Sequence, residues 1–134
     1  MKTKNLMLRL LLIGVLPMLA ACGAAIAAGA GAAAVIAYNE RGVSTQVEGT
    51  VQEVYQKSRA AFQAKGITQT ATDANDEGTE TELQGRGRDN MEVTVDIGRE
   101  NENFVSVDVY AKRSTVNWDH SYAQEVLESI VRRD

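Results

Sequence analysis

A chain of 134 residues has room for one ordinary domain. Its 18 acidic side chains outnumber 14 basic ones, and the first 21 residues hold three of the basic ones and no acid, so the remainder carries a net charge of −7. No cluster of Lys or Arg interrupts that balance, which excludes nucleic acid as a partner and electrostatic docking on anionic lipid heads.

Membrane attachment must then be hydrophobic or covalent, and the amino terminus supplies the means. Lys2, Lys4 and Arg9 precede an apolar run from Leu10 to Leu19, broken only by Gly14 and Pro17, and the small residues Ala20 and Ala21 follow. This is the layout of a secretory signal peptide, with an apolar run too short to span a bilayer alone. Leu19-Ala20-Ala21-Cys22 resembles the lipobox of bacterial lipoproteins. The resemblance implies cleavage before Cys22, a diacylglyceryl thioether on its sulfur and acylation of the new amino group. Two other readings compete. A lone cysteine is often a buried hydrophobe, but Cys22 ends a signal peptide and belongs to no packed element. Leu10 to Ala37 could also stay as one membrane helix, against which stand Pro17 and four glycines. Two or more acyl chains make a stable anchor, so lipidation implies permanent attachment. Gly23 follows the cysteine, where aspartate retains enteric bacterial lipoproteins in the inner membrane. By that analogy the protein is expected on the outer membrane, facing the periplasm.

The expected organisation is a cleaved leader at 1–21, the lipidated Cys22 with an Ala/Gly tether over 22–37, and one domain over 38–134. In the tether, Gly23, Ala27 and Gly31 recur every four residues, the spacing that lets helices approach closely. The same composition also suits a compliant spacer, and both readings stand.

From Arg41 onward the periods change. Val43, Thr45 and Val47 alternate with Ser44, Gln46 and Glu48, as in a half-buried strand. Thr50 and Glu53 form a capping box ahead of a helix whose stripe is Val51, Val54, Tyr55, Ser58, Ala61 and Phe62, closed by Gly66. A threonine-rich strand over Ile67–Thr72 leads into an acidic loop, Asp73 to Gly78. Thr79 to Gly87 alternates again, and Arg88-Asp89-Asn90 makes a tight turn. Met91, Val93, Val95 and Ile97 share one face of the clearest strand. After a polar loop from Gly98 to Asn103, Val105, Val107, Val109 and Ala111 face inward, while Phe104, Ser106, Asp108, Tyr110 and Lys112 face outward. Asp119 caps a last helix with Tyr122, Ala123, Val126, Leu127, Ile130 and Val131 on one stripe. The expected fold is therefore α+β: a five-stranded curved antiparallel sheet in the order β-α-β-β-β-β-α, with both helices on its apolar face. The economical strand order places the first strand beside the last, 1-5-4-3-2.

The lipobox, the Ala/Gly tract, Tyr38-x-x-x-Gly42, the Val51–Lys65 helix, Leu83-Gln84-Gly85, Val93-Thr94-Val95, Val105-Ser106-Val107 and the ending Asp119 to Ile130 occur here in one order. In that order the chain resembles a family of small bacterial lipoproteins known only as a domain of unknown function. The resemblance brings no activity, cofactor or binding residues. The element order is also similar to the helix-grip domains of periplasmic assembly lipoproteins, which implies an interaction role by analogy.

Candidate chemistry is sparse. His120 is the only histidine, and its neighbours Asp119 and Ser121 point elsewhere on a helix, so catalysis is not expected. One histidine and a lipidated cysteine cannot supply a zinc site. Asp73, Asn75, Glu77 and Gly78 match positions 1, 3, 5 and 6 of a calcium loop, but Gln84 stands where a bidentate glutamate is needed, so a solvated turn is expected. Gly85-Arg86-Gly87 lacks the setting of a phosphate loop. No cofactor or metal is expected. The preferred reading is a non-catalytic envelope module whose protein partner docks on Phe104, Asp108, Tyr110 and Lys112, with Trp118 as a further exposed aromatic. The alternative is a small-ligand or lipid binder with a cavity between sheet and helices.

Overall fold

The computed structural model describes residues 35–132, so the expected leader, Cys22 and most of the expected tether lie outside the described residues. In chain order the elements are β1 (Ala37–Tyr38), β2 (Gly42–Glu48), α1 (Val51–Lys65), β3 (Thr68–Ala74), β4 (Glu80–Arg86), a 3-10 turn (Arg88–Asn90), β5 (Glu92–Arg99), β6 (Phe104–Ser114), β7 (Asn117–Trp118) and α2 (His120–Val131). The strands form one open antiparallel sheet, ordered β1-β2-β6-β5-β4-β3, with β7 on β6. Among the described residues seven strands stand where five were expected. The five long ones keep the expected spatial order, and the two additions are two residues each, too short to display any alternation. β1 also buries neither of its residues: Ala37 and Tyr38 are exposed, and the Tyr38 hydroxyl donates to Gln124 Oε1 at 2.6 Å.

Both helices pack on the sheet face made by Val43, Leu83, Val93, Val95, Ile97, Val105, Val107, Val109 and Ala111, all buried. α1 begins as its sequence dictates. Glu53 N–H donates to Thr50 Oγ1 at 3.2 Å, and Thr50 N–H donates to Glu53 Oε2 at 2.7 Å. Thr50→Ala removes the first of these bonds and should lower stability by about 1 kcal/mol in chemical denaturation, while Thr50→Ser keeps it. A Thr50→Ala variant as stable as the wild type would show that the cap contributes nothing. Ser58 is fully buried midway along α1, and its hydroxyl is satisfied by donating to the Val54 carbonyl at 2.8 Å. Gly66, at φ 66°, closes the helix in the left-handed conformation, and Ile67 N–H reaches back to the Phe62 carbonyl at 2.8 Å. At the start of α2, Asp119 Oδ1 accepts Tyr122 N–H at 2.9 Å.

Three boundaries differ from expectation. β3 runs to Ala74, so Asp73 belongs to a strand and not to the loop after it. β5 continues through Gly98 and Arg99, leaving only Glu100 to Asn103 as the hairpin loop. At the amino-terminal side the fold begins before Tyr38: Ile36 packs against the core, and Thr45 Oγ1 donates to the Val35 carbonyl at 2.9 Å. β3 forms one margin of the sheet and buries none of its residues. Its pairing to β4 breaks register between Gln69 and Ala71. Such an irregularity twists an edge strand away from further pairing.

Candidate functional site on the open face of the sheet

Side chains alternate across a strand, so the residues between the buried valines all project from the face that the helices leave open. The register decides which of them meet. Asp73 of β3 stands opposite Glu82 of β4, Glu82 opposite Asp96 of β5, and Asp96 opposite Asp108 of β6. Four carboxylates thus form one row across four adjacent strands, about 4.8 Å apart from strand to strand. Like charges directly opposite destabilise a sheet. No member of the row takes part in any of the five ion pairs among the described residues. The row lines an open groove of about 450 Å3, with Glu80 and Ser106 at its side.

Asp96 sits at the centre. Its Oδ1 is buried and has no hydrogen-bond partner. Burial, then the carboxylates of Glu82 and Asp108, push its carboxyl up to about 6. Burial and then Glu100 raise Asp108 as well. Glu82 has one donor beside it, Gln84 Nε2, which bonds Oε1.

A second depression of about 210 Å3 adjoins the first, and Asp96 lines both. Here Tyr110 and Trp118 meet edge to face, with ring centroids 6.3 Å apart and planes at 67°. Lys112 Nζ lies 3.2 Å from Glu92 Oε1 and 5.9 Å from the centroid of the Trp118 ring. Arg41 completes the rim. Burial and then the nearby Asp108 and Asp96 raise the Tyr110 phenol, and Arg41 opposes them.

The residues singled out in the sequence fall as follows. Asp108, Tyr110 and Lys112 share the open face along β6, each half-buried. Phe104 shares that face but pairs with Glu48 at the far end of the strand. Six residues separate it from Tyr110, about 20 Å of extended chain, so it is no part of the aromatic pair. Cys22 lies outside the described residues. His120 Nε2 is 2.9 Å from the Asn39 carbonyl oxygen, a bond that ties the start of α2 to the turn between β1 and β2. In the acidic turn, Asn75 Oδ1 accepts the N–H groups of Thr79 and Glu80 at 2.9 and 3.1 Å, and Gly78 takes φ 66°. Those bonds build a hairpin turn, with Asp73 drawn off into β3. Among the described residues no group of three or more His, Cys, Asp or Glu is arranged to hold a metal ion. Sequence reasoning missed Asp73, Glu82 and Asp96 as members of one feature. The usable signal was an acid at the outward position of three successive strands.

A family model matches residues 5–132 of the chain. The chain belongs to the family described as Protein of unknown function (DUF3568). Comparison with curated proteins finds no match. The DUF3568 match spans residues 5–132 and carries no activity, so function rests on the geometry of the open face.

Proposed function

We propose that this DUF3568 chain is a lipid-anchored module of the bacterial envelope that binds a protein partner on the open face of its sheet and performs no chemistry. The observation that carries the reading is the unneutralised row Asp73, Glu82, Asp96 and Asp108. A sheet that keeps four opposed carboxylates on an exposed groove gives up stability there, and such departures from good local design collect at functional surfaces. Anchoring rests on the order of charged, apolar and small residues ahead of Cys22. The family match beginning at residue 5 is consistent with a leader that belongs to the family pattern. Neither described helix is long and apolar enough to cross a membrane. Gly23 favours the outer membrane, by analogy with enteric sorting. The alternative, a cavity between sheet and helices, has less support. Phe62, Leu83, Met91, Ile97, Leu127 and Ile130 are buried in that space, so large apolar side chains occupy it.

Two experiments test the reading. A photo-crosslinker placed at Ser106, in the groove, should form discrete adducts in cells, and one at Gln56, on the exposed side of α1, should not. Glu82→Lys with Asp96→Lys should abolish the Ser106 adducts; adducts that survive this reversal would remove the face from the proposal. For the anchor, an alkyne fatty acid should label the wild type and not Cys22→Ser, whose leader should also remain uncleaved. Labelling that persists in Cys22→Ser would refute lipidation at that sulfur.

A further inference from the structure

We propose that the groove on the open face receives an extended segment of the protein partner that presents Lys or Arg side chains at alternate positions. The inference rests on the interaction role above and names the chemistry of the partner. Complementarity of charge is its first support. The groove holds Asp73, Glu80, Glu82, Asp96 and Asp108, with no basic side chain among the residues that line it. Arg41 and Lys112 stand at the second depression, where Lys112 is already engaged with Glu92.

The shape of the acidic feature supplies the second support. A single cation needs oxygens gathered around a point, whereas these carboxylates stand in a line, one per strand. Three steps between strands give a row about 14 Å long. An extended peptide laid along that row sends side chains to the same side about every 6.7 Å, so three alternate basic residues span about 13 Å. The match is between a linear array of negative charge and a linear array of positive charge.

The third support is an atom and not a charge. Asp96 Oδ1 is shielded from water at the middle of the row and lacks a donor. A buried acceptor without a donor is costly, and a turn of the Asp96 carboxyl toward the groove would let an entering ammonium or guanidinium complete it. Next to Asp96, the Tyr110 and Trp118 rings offer aromatic surface to a guanidinium at one end of the segment.

Isothermal titration of the full-length chain in neutral detergent, with the peptide acetyl-TKTKTKT-amide as probe, tests the proposal. Glu82→Gln with Asp96→Asn should weaken binding at least about tenfold, the loss expected when two close charge pairs each lose their acidic member. Glu125→Gln, on the helix side, should leave it unchanged. Circular dichroism of each variant checks folding, and raising salt from low to physiological concentration should weaken wild-type binding severalfold. Absence of binding, equal loss in Glu125→Gln, or no effect of the row variants would overturn the proposal. Spermidine binding as tightly as the peptide would also overturn it, because any polycation would then suffice. If Ser106 adducts form and respond to charge reversal while the peptide does not bind, the basic segment fails and the interaction face stands. If the peptide binds as expected and Ser106 yields no adducts in cells, the interaction role fails instead.

Discussion

Phe62→Ala should destabilise the domain by about 3–5 kcal/mol, the range for deleting a buried aromatic ring. Domains of this size hold about 5–15 kcal/mol in total, so one substitution could remove half of it. The reason for expecting the upper part of the range lies across from the ring. Phe62 is 2 % exposed on α1 and packs over Gly85, which occupies an inward position of β4. A Cβ at residue 85 would lie 2.6 Å from Phe62 Cε2 and 2.6 Å from Ile67 Cγ2. The ring therefore rests on bare backbone, and its removal leaves no side chain from β4 to fall into the space. Gly85→Ala should in turn cost about 1–3 kcal/mol through overpacking. Together the two should cost less than their sum, because alanine at 85 gains room once the ring is gone. Relief will be partial, since Ile67 and the Thr68 carbonyl remain close to that Cβ. A double-mutant cycle by urea denaturation measures the coupling, expected between about 0.5 and 3 kcal/mol. Strictly additive losses would show that ring and glycine do not meet.

The second large effect depends on pH. The Asp96 carboxyl titrates at about 6 in the folded chain against an ordinary 3.8, with burial as the main cause and Glu82 and Asp108 behind it. A folded state that holds its proton more tightly than the unfolded chain is favoured by acid. The contribution of Asp96 is thus fully present below pH 3.8, declines as pH rises, and is lost once pH has passed 6. Unscreened, that shift corresponds to roughly 3 kcal/mol; with water in an open groove, about 1 kcal/mol is the realistic size. Asp108, raised by burial and by Glu100, acts in the same sense. Glu53 and Asp119 are held low by the backbone N–H groups they accept, so their contributions run the other way and fade at the acid end. The informative quantity is therefore the difference between wild type and Asp96→Asn. The variant should be the more stable at pH 7 by about 1 kcal/mol, and the advantage should vanish near pH 4. Parallel profiles for the two proteins would sink the assignment.

Much of the architecture was legible because burial imposes a period. Met91 to Ile97 and Val105 to Ala111 announce half-buried strands, and Thr50 with Glu53 announces a helix start whose bonds are found as expected. β1 and β7 were not legible, since two residues carry no period and Tyr38 buries little. Asp73 was misplaced because Asp, Asn and Gly in sequence resemble a turn, and the hydrogen bonds of Asn75 start that turn two residues later. The site was half legible for a related reason. The outward positions of β6 gave Asp108, Tyr110 and Lys112, but alternation within a strand says nothing about which residue of the next strand stands opposite. Glu82 and Asp96 each looked like ordinary solvated charges. Only the register of three hairpins makes them a row.

The pairing of β2 with β6 also governs when the domain can come into being. Val43 finds Val109 across the sheet, a partner 66 positions later in the chain. Closing so large a loop is entropically unfavourable until the intervening meander exists, and contacts of this separation form slowly. A nascent chain that has not yet delivered β6 leaves β2 with only the two residues of β1 beside it, and leaves α2 unmade. Completion therefore waits for the carboxyl-terminal quarter, and a ribosome stalled before Phe104 would release a product with its central β-ladder missing.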